Sequence, residues 1–325
     1  MKRIAVLDDY QGVVLSLPYW ARLAGRASVE AYRDMAPDEE ALVRRLVPYQ
    51  ILVPIRERTR FPAALLAKLP NLEFLALTGR NSGHVDVAAA TGQGILVAET
   101  GGSGAGPVEL TIGLMIAAVR GIPQADQALR AGRWEGSVGV ELAGKTLGIL
   151  GLGRIGSKVA AFGRFLGMRV LAWGPTLTSE RASASEAAFV SLESLFRQSD
   201  VVSLHLRLSD QSRGLVSAEL LACMKASAYL INTARGPLVD EAALVAVLQE
   251  RRIAGAALDV YAVEPLPADH PFRTLRNVVL TPHLGYVTEE AYHVFFREVA
   301  ENIASYLDGQ VPARAINPDA LSSRK

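Results

Sequence analysis

The chain is poor in the residues that staple, ligate and anchor proteins. It holds a single cysteine, Cys223, among 325 residues, so no intrachain disulfide can form, which suits a reducing cytoplasm. In its setting, LLACMK, that cysteine reads as a buried filler rather than a nucleophile, and no metal is expected. Long apolar runs are missing too. Stretches such as LTIGLMIAAV at 110–119 fall short of the roughly 18 residues needed to cross a bilayer, so no membrane span is expected. The opening MKRIAVLDDY meets Asp8 and Asp9 after a short apolar run, a strand pattern rather than a signal peptide, which argues against export. Charge of one sign is lacking as well. Lys plus Arg number 34 against 33 Asp plus Glu, so nothing draws the chain to nucleic acid or an anionic membrane, and a small molecule is the expected partner. No short repeat or low-complexity tract is present.

What remains is an ordinary globular composition, half apolar and about a fifth charged, long enough for a large core in two domains. The first hundred residues alternate β-rich runs (RIAVLDD, SVEAYR, QILVPI, LEFLALTG, GILVAE) with helical segments such as PDEEALVRRLV and FPAALLAKL. That alternation predicts a parallel sheet covered by helices. Glycine then clusters in GGSGAGP at 101–107, read as a hinge, before a helical stretch from Val108 to Arg120. A second series, KTLGIL, MRVLAW, VVSLHL, YLINT, GAALDV and NVVLTP, predicts a second parallel sheet. The segment TEEAYHVFFREVAENIASYL predicts a long helix, with Thr288 as N-cap and acidic residues in its first turn.

The strand TLGIL runs into GLGRIG, which sets Gly151, Gly153 and Gly156 in GxGxxG spacing before the helical SKVAAFGRFLG. The first glycine permits a tight turn, the second lets backbone approach a pyrophosphate, and the third lets helix pack on strand. Phosphate then sits on free N–H groups at a helix N-terminus. The strand before, the helix after and a second strand at MRVLAW favour dinucleotide binding over a structural turn. One element is missing: the carboxylate that receives the adenosine ribose about 20 residues on. The second strand ends instead at Trp173-Gly174-Pro175.

Three more strand ends carry ionisable groups: Arg235 in INTARGP, Glu264 in DVYAVEP and His283 in TPHLG. In a doubly wound sheet these ends share the ligand-binding edge. Arg235 suits a bidentate hold on a substrate carboxylate. Glu264 suits a bond to one ring nitrogen of His283, fixing its tautomer and favouring its charged form. His283 is then placed to donate a proton as hydride arrives. Taken singly, Arg235 also fits a surface ion pair, Glu264 a loop carboxylate before proline and His283 a satisfied core group.

Across nearly its whole length the chain resembles the D-isomer-specific 2-hydroxyacid dehydrogenases, the group that includes glyoxylate/hydroxypyruvate reductases and phosphoglycerate dehydrogenases. The resemblance rests on GKTLGILGLGRIG, LINTARGPLVDEAAL, GAALDVYAVEPLP and NVVLTPHLGYVTEE in that order. It implies that Arg235, Glu264 and His283 are the catalytic set of an NAD- or NADP-dependent oxidoreductase acting on a small 2-oxo acid or D-2-hydroxy acid. It implies a Rossmann-type nucleotide domain, 102–287, inserted in a flavodoxin-like substrate domain made of 1–101 and 288–325, with the site in the cleft between them and a homodimer formed through the nucleotide domains. By the same match Gly151, Gly153, Arg154, Ile155 and Gly156 hold the cofactor phosphates, and Trp173, Gly174, His205, Leu206 and Arg207 line its adenosine side. Thr233, Ala234 and Asp259 approach the nicotinamide, with Gly285 and Tyr286 completing that pocket; Tyr286 also borders the substrate.

The chain departs from its relatives in two places. Many of them have a glycine-containing GVGYDNID loop facing the substrate, whereas this chain has TGRNSGHVD, with Arg80 and Asn81 replacing small residues; Arg56, in PIRERT, is a further candidate at the substrate. Arg207 stands where HxPL segments have proline, and Arg181 shares a loop with Glu180. Without a carboxylate at Gly174, and with a cation near the ribose, NADP is expected to be accepted at least as well as NAD. A dinucleotide-sensing binding protein of the corepressor type is the alternative from another class. A formate dehydrogenase fits less well, because those relatives have glutamine at the place of Glu264.

Overall fold

The computed structural model describes residues 1–80, 82–134, 136 and 138–324. Asn81, expected at the substrate, lies outside the described residues. The chain divides into two compact units, Met1–Ser103 with Thr288–Lys325, and Gly104–Val287.

The first unit holds a five-stranded parallel sheet of β1 (Lys2–Leu7), β2 (Ala27–Ala31), β3 (Ile51–Pro54), β4 (Phe74–Ala76) and β5 (Leu96–Ala98), in the order β2-β1-β3-β4-β5. Every residue of β3, β4 and β5 is buried, as expected for parallel strands covered on both faces. Side chains fix where helices begin: Asp38 accepts from the Ala41 N–H at 2.7 Å and Asp86 from the Ala89 N–H at 2.9 Å. The long helix Glu289–Leu307 belongs to this unit, and Thr288 caps it by accepting from the Ala291 N–H at 3.2 Å.

The second unit holds a seven-stranded parallel sheet of β6 (Thr146–Leu150), β7 (Arg169–Trp173), β8 (Ala188–Phe189), β9 (Val201–Leu204), β10 (Tyr229–Asn232), β11 (Gly255–Leu258) and β12 (Val278–Leu280). Its order, β12-β11-β10-β9-β6-β7-β8, reverses direction between β6 and β9, the switch point at which open α/β sheets bind ligands. Together the two sheets make an α/β protein of two parallel-sheet domains. Among the described residues no single helix is long and apolar enough to cross a membrane.

Two local readings differ. The strand β8 has no sequence signal, because its two residues at a sheet edge are too few for a period to show. The segment after Pro175, read as a loop, folds from Ser179 to Ser183 into a short helix whose N-cap, Thr178, accepts from the Arg181 N–H.

Candidate active site and dinucleotide turn

The glycine turn sits at the switch point. The Gly151 N–H bonds the Trp173 carbonyl at the end of β7, and the His205 N–H bonds the Leu150 carbonyl from the end of β9. Gly151 has φ +102°, and a Cβ there would lie 2.9 Å from the His205 carbonyl. At Gly156 a Cβ would lie 2.2 Å from the Gly151 carbonyl oxygen, so the helix comes this close to the turn only because Gly156 lacks a side chain. Gly153 is different: nothing lies within 4 Å of where its Cβ would be, which leaves the backbone open to a phosphate. No side chain caps the helix Gly156–Phe165 that begins here, so its first N–H groups and dipole face the turn. These residues fit a dinucleotide pyrophosphate.

Among the residues read as lining the adenosine, burial pushes His205 down to about 4, so it is neutral at ordinary pH; its Nε2 is 2.9 Å from the Ser203 hydroxyl. Leu206 packs against the core and Arg207 is exposed. Gly174 follows β7 with ordinary space for a side chain, the nearest atom to its would-be Cβ being on Leu177 at 3.4 Å. Glu180 is exposed, and Arg181 is drawn back onto the Thr176 carbonyl at 2.8 Å.

The three ionisable groups stand beyond three adjacent strands whose last residues are in step, Asn232 with Leu258 and Leu258 with Leu280. Arg235 is partly buried with an extended backbone, and its Nη1 donates to the Ala234 carbonyl at 2.7 Å. Asn232 ties down the same loop, accepting from the Ala234 N–H at 3.1 Å and donating to the Arg235 carbonyl at 3.0 Å. Gly236 then brings this loop onto the next, since a Cβ there would lie 2.0 Å from the Tyr261 carbonyl carbon.

His283 takes a left-handed backbone, φ +54°, rare for a residue with a side chain and found where surrounding structure holds it. Its Nδ1 lies 2.6 Å from Glu264 Oε2, while Glu264 Oε1 accepts from the Tyr261 N–H at 2.9 Å. The carboxylate thus accepts a hydrogen bond from the Nδ1–H, which leaves Nε2 outside this pair. Tyr286, 8% exposed, packs its ring edge-on at 5.3 Å. The geometry therefore brings His283, Glu264 and Tyr286 together and sets Arg235 at the neighbouring loop.

Asp259, read from the resemblance as a nicotinamide contact, has a second use. It is 0% exposed and accepts from the Thr281 hydroxyl at 2.6 Å and from the Leu284 and Gly285 N–H groups at 2.7 and 2.9 Å. Burial raises its pKa, while the Thr281 bond, the Leu284 N–H, the neighbouring His283 and the Gly285 N–H oppose the rise. Tyr261 was missed: its hydroxyl donates to the Thr281 carbonyl at 2.9 Å and its N–H holds Glu264, so one residue ties the two loops. The only available signal was a tyrosine in DVYAVEP.

Arg56 and Arg80 lie in the first unit. Arg56 has φ +56°, donates from Nη1 to the Thr78 carbonyl at 3.1 Å and pairs with Glu57 at 3.3 Å. Arg80 is exposed.

The chain resembles known proteins over most of its length. The family model for the D-isomer specific 2-hydroxyacid dehydrogenase, NAD binding domain, matches residues 112–285. A glyoxylate reductase from Aeropyrum pernix is 40% identical over 276 residues, which cover 82% of each chain. A D-3-phosphoglycerate dehydrogenase from Methanocaldococcus jannaschii is 37% identical over 291 residues, 88% of this chain and 55% of that one. A crystal structure of a phosphoglycerate oxidoreductase from Vibrio cholerae matches with TM-score 0.91 and 40% identity, covering 95% of this chain and 99% of that one. The dinucleotide-sensing alternative gains no support from these relatives.

Proposed function

The chain belongs to the D-isomer-specific 2-hydroxyacid dehydrogenase family and is an enzyme of that class with a nicotinamide cofactor, and from this premise we propose that it interconverts a small 2-oxo acid and the D-2-hydroxy acid through Arg235, Glu264 and His283. The observation that carries the reading is the left-handed His283 with Nδ1 bonded to Glu264, standing beside the Arg235 loop at three strand ends in step. A nicotinamide dinucleotide held at the Gly151–Gly156 turn would supply or accept the hydride. Arg235 holds both oxygens of the substrate carboxylate and draws electron density from the adjacent carbonyl. His283 Nε2 gives its proton to the ketone oxygen in reduction and takes it back in oxidation. Glu264 keeps the ring in that orientation through its bond to Nδ1.

Two finer points belong to the same proposal. NADP is taken at least as well as NAD: the space at Gly174 holds no carboxylate to repel a 2′-phosphate, and the exposed Arg207 follows the strand end that meets Gly151. The enzyme also works as a homodimer. The unit Gly104–Val287 exposes Ile122, Leu129, Trp134, Val138 and Phe165, with Trp134 94% and Val138 100% exposed, and a second copy is the partner that would cover them.

The test is oxidation of NADH and NADPH in the presence of glyoxylate, hydroxypyruvate, pyruvate and bulkier 2-oxo acids, with His283→Ala alongside. Turnover of at least one acid is expected in the wild type. In the variant kcat should fall about a hundredfold or more with dinucleotide affinity kept. Near-normal turnover by the variant would return His283 to a structural role.

A further inference from the structure

Thr233 is the first residue beyond β10, and its hydroxyl oxygen lies 2.6 Å from that of Thr111 on the helix Gly106–Arg120. Thr111 is 0% exposed, and the same oxygen lies 2.6 Å from the Pro107 carbonyl oxygen one turn earlier. A hydroxyl has one proton to give, and a carbonyl has none. Two oxygens this close need a proton between them, so the Thr111 proton points at Pro107, and Thr111 must accept the proton of Thr233. The donors run in one direction, from Thr233 to Thr111 to Pro107. Thr233 has then spent its proton and can only accept.

Thr233, Asp259 and Thr281 each follow the last residue of three neighbouring strands paired in step. Asp259 and Thr281 are engaged with each other and with the loop that carries His283. Thr233 is only half-buried, with its acceptor capacity fixed from the helix behind it. We propose that Thr111 is a positioning residue for the cofactor: by taking the Thr233 proton it makes Thr233 Oγ1 an acceptor for an N–H of the nicotinamide carboxamide, and so sets which way the ring lies. This rests on the reading of the site as a nicotinamide pocket. Without the Thr111 hydroxyl, the Thr233 proton is free to turn toward the carboxamide N–H, where it opposes binding.

The experiment is titration calorimetry of wild type, Thr111→Val and Thr111→Ser with NADH or NADPH, whichever the wild type binds more tightly, and with the matching 3-acetylpyridine analogue. That analogue carries a methyl ketone in place of the amide and has no N–H to offer. Thr111→Val should weaken the natural dinucleotide roughly three- to tenfold, the worth of one hydrogen bond, and leave the analogue little changed. Thr111→Ser, which keeps the hydroxyl, should bind both like the wild type. Equal weakening of both ligands by Thr111→Val would make Thr111 a packing residue only, and unchanged affinity for the natural dinucleotide would also overturn the proposal. Binding of neither dinucleotide by any of the proteins would overturn the nicotinamide reading itself, and this proposal with it.

Discussion

Thr281 donates its hydroxyl to Asp259 across 2.6 Å, and this bond sets the point from which the loop bearing His283 leaves β12. The same carboxylate receives the Leu284 and Gly285 N–H groups, so His283 lies in a five-residue loop held at both ends by one buried side chain. Three donors on one carboxylate supply a constraint able to hold a φ of +54° against its ordinary cost of about 1–3 kcal/mol. The orientation of the proposed proton donor thus depends on a residue that does not exchange the proton.

Glu264→Gln keeps the size of the side chain and removes its charge. For reduction of a 2-oxo acid, kcat should fall roughly tenfold or more, because the amide loses the charge-assisted hold on the Nδ1–H that orients the ring. A kcat near that of the wild type would show that the pairing seen at 2.6 Å does not serve the reaction.

Arg235→Lys keeps the positive charge and loses the fork. KM should rise and kcat should fall together, since an ammonium ion can neither grip two oxygens at once nor align with the carbonyl. Steady-state kinetics settle it: if both constants stay near wild type, the carboxylate is held elsewhere, and Arg80 becomes the residue to substitute.

Cofactor choice is tested by kcat/KM for NADH and NADPH in the wild type, Gly174→Asp and Arg207→Ala. The wild type should use NADPH at least as well as NADH. Gly174→Asp should turn preference toward NADH, and Arg207→Ala should weaken NADPH alone. A wild type favouring NADH by about tenfold, roughly 1.4 kcal/mol, would remove the argument from the absent carboxylate.

His205 gives the fold a pH dependence whose sign follows from its depressed value of about 4. The unfolded chain takes up this proton below about 6.5, while the folded chain resists until about 4. Its contribution to stability is therefore complete above that range and is lost as pH falls through it. Melting temperatures at pH 7 and 4.5 should differ less for His205→Gln than for the wild type, and equal differences would show that His205 does not resist protonation.

The parts of the site legible in the sequence are those whose signal is local. Gly151, Gly153 and Gly156 announce a turn because strand, glycines and helix are consecutive, and Arg235, Glu264 and His283 could be set on one edge because each closely follows a β-rich run. The hold of Asp259 on the His283 loop could not be read, because its partners are backbone N–H groups 25 and 26 residues away and an N–H has no letter in the sequence. The hydroxyl pair of Thr111 and Thr233 spans 122 residues and is invisible for the same reason. Arg181 shows the opposite limit: the sequence sets it in the loop with Glu180, and only the structure shows its side chain folded back onto the Thr176 carbonyl.

The strand pairing at the switch point also ties recognition to folding. β6 lies beside β9, but the chain visits β7 and β8 before returning, so the contact of Gly151 with the His205 backbone joins residues 54 apart in sequence. Such contacts are costly in chain entropy and come late in parallel sheets. A partly ordered second unit would have the glycine motif in its sequence and still lack the His205 backbone packed against the turn. Dinucleotide should accordingly select the fully folded unit and raise its melting temperature with concentration, as mass action requires of a ligand that ignores the open chain.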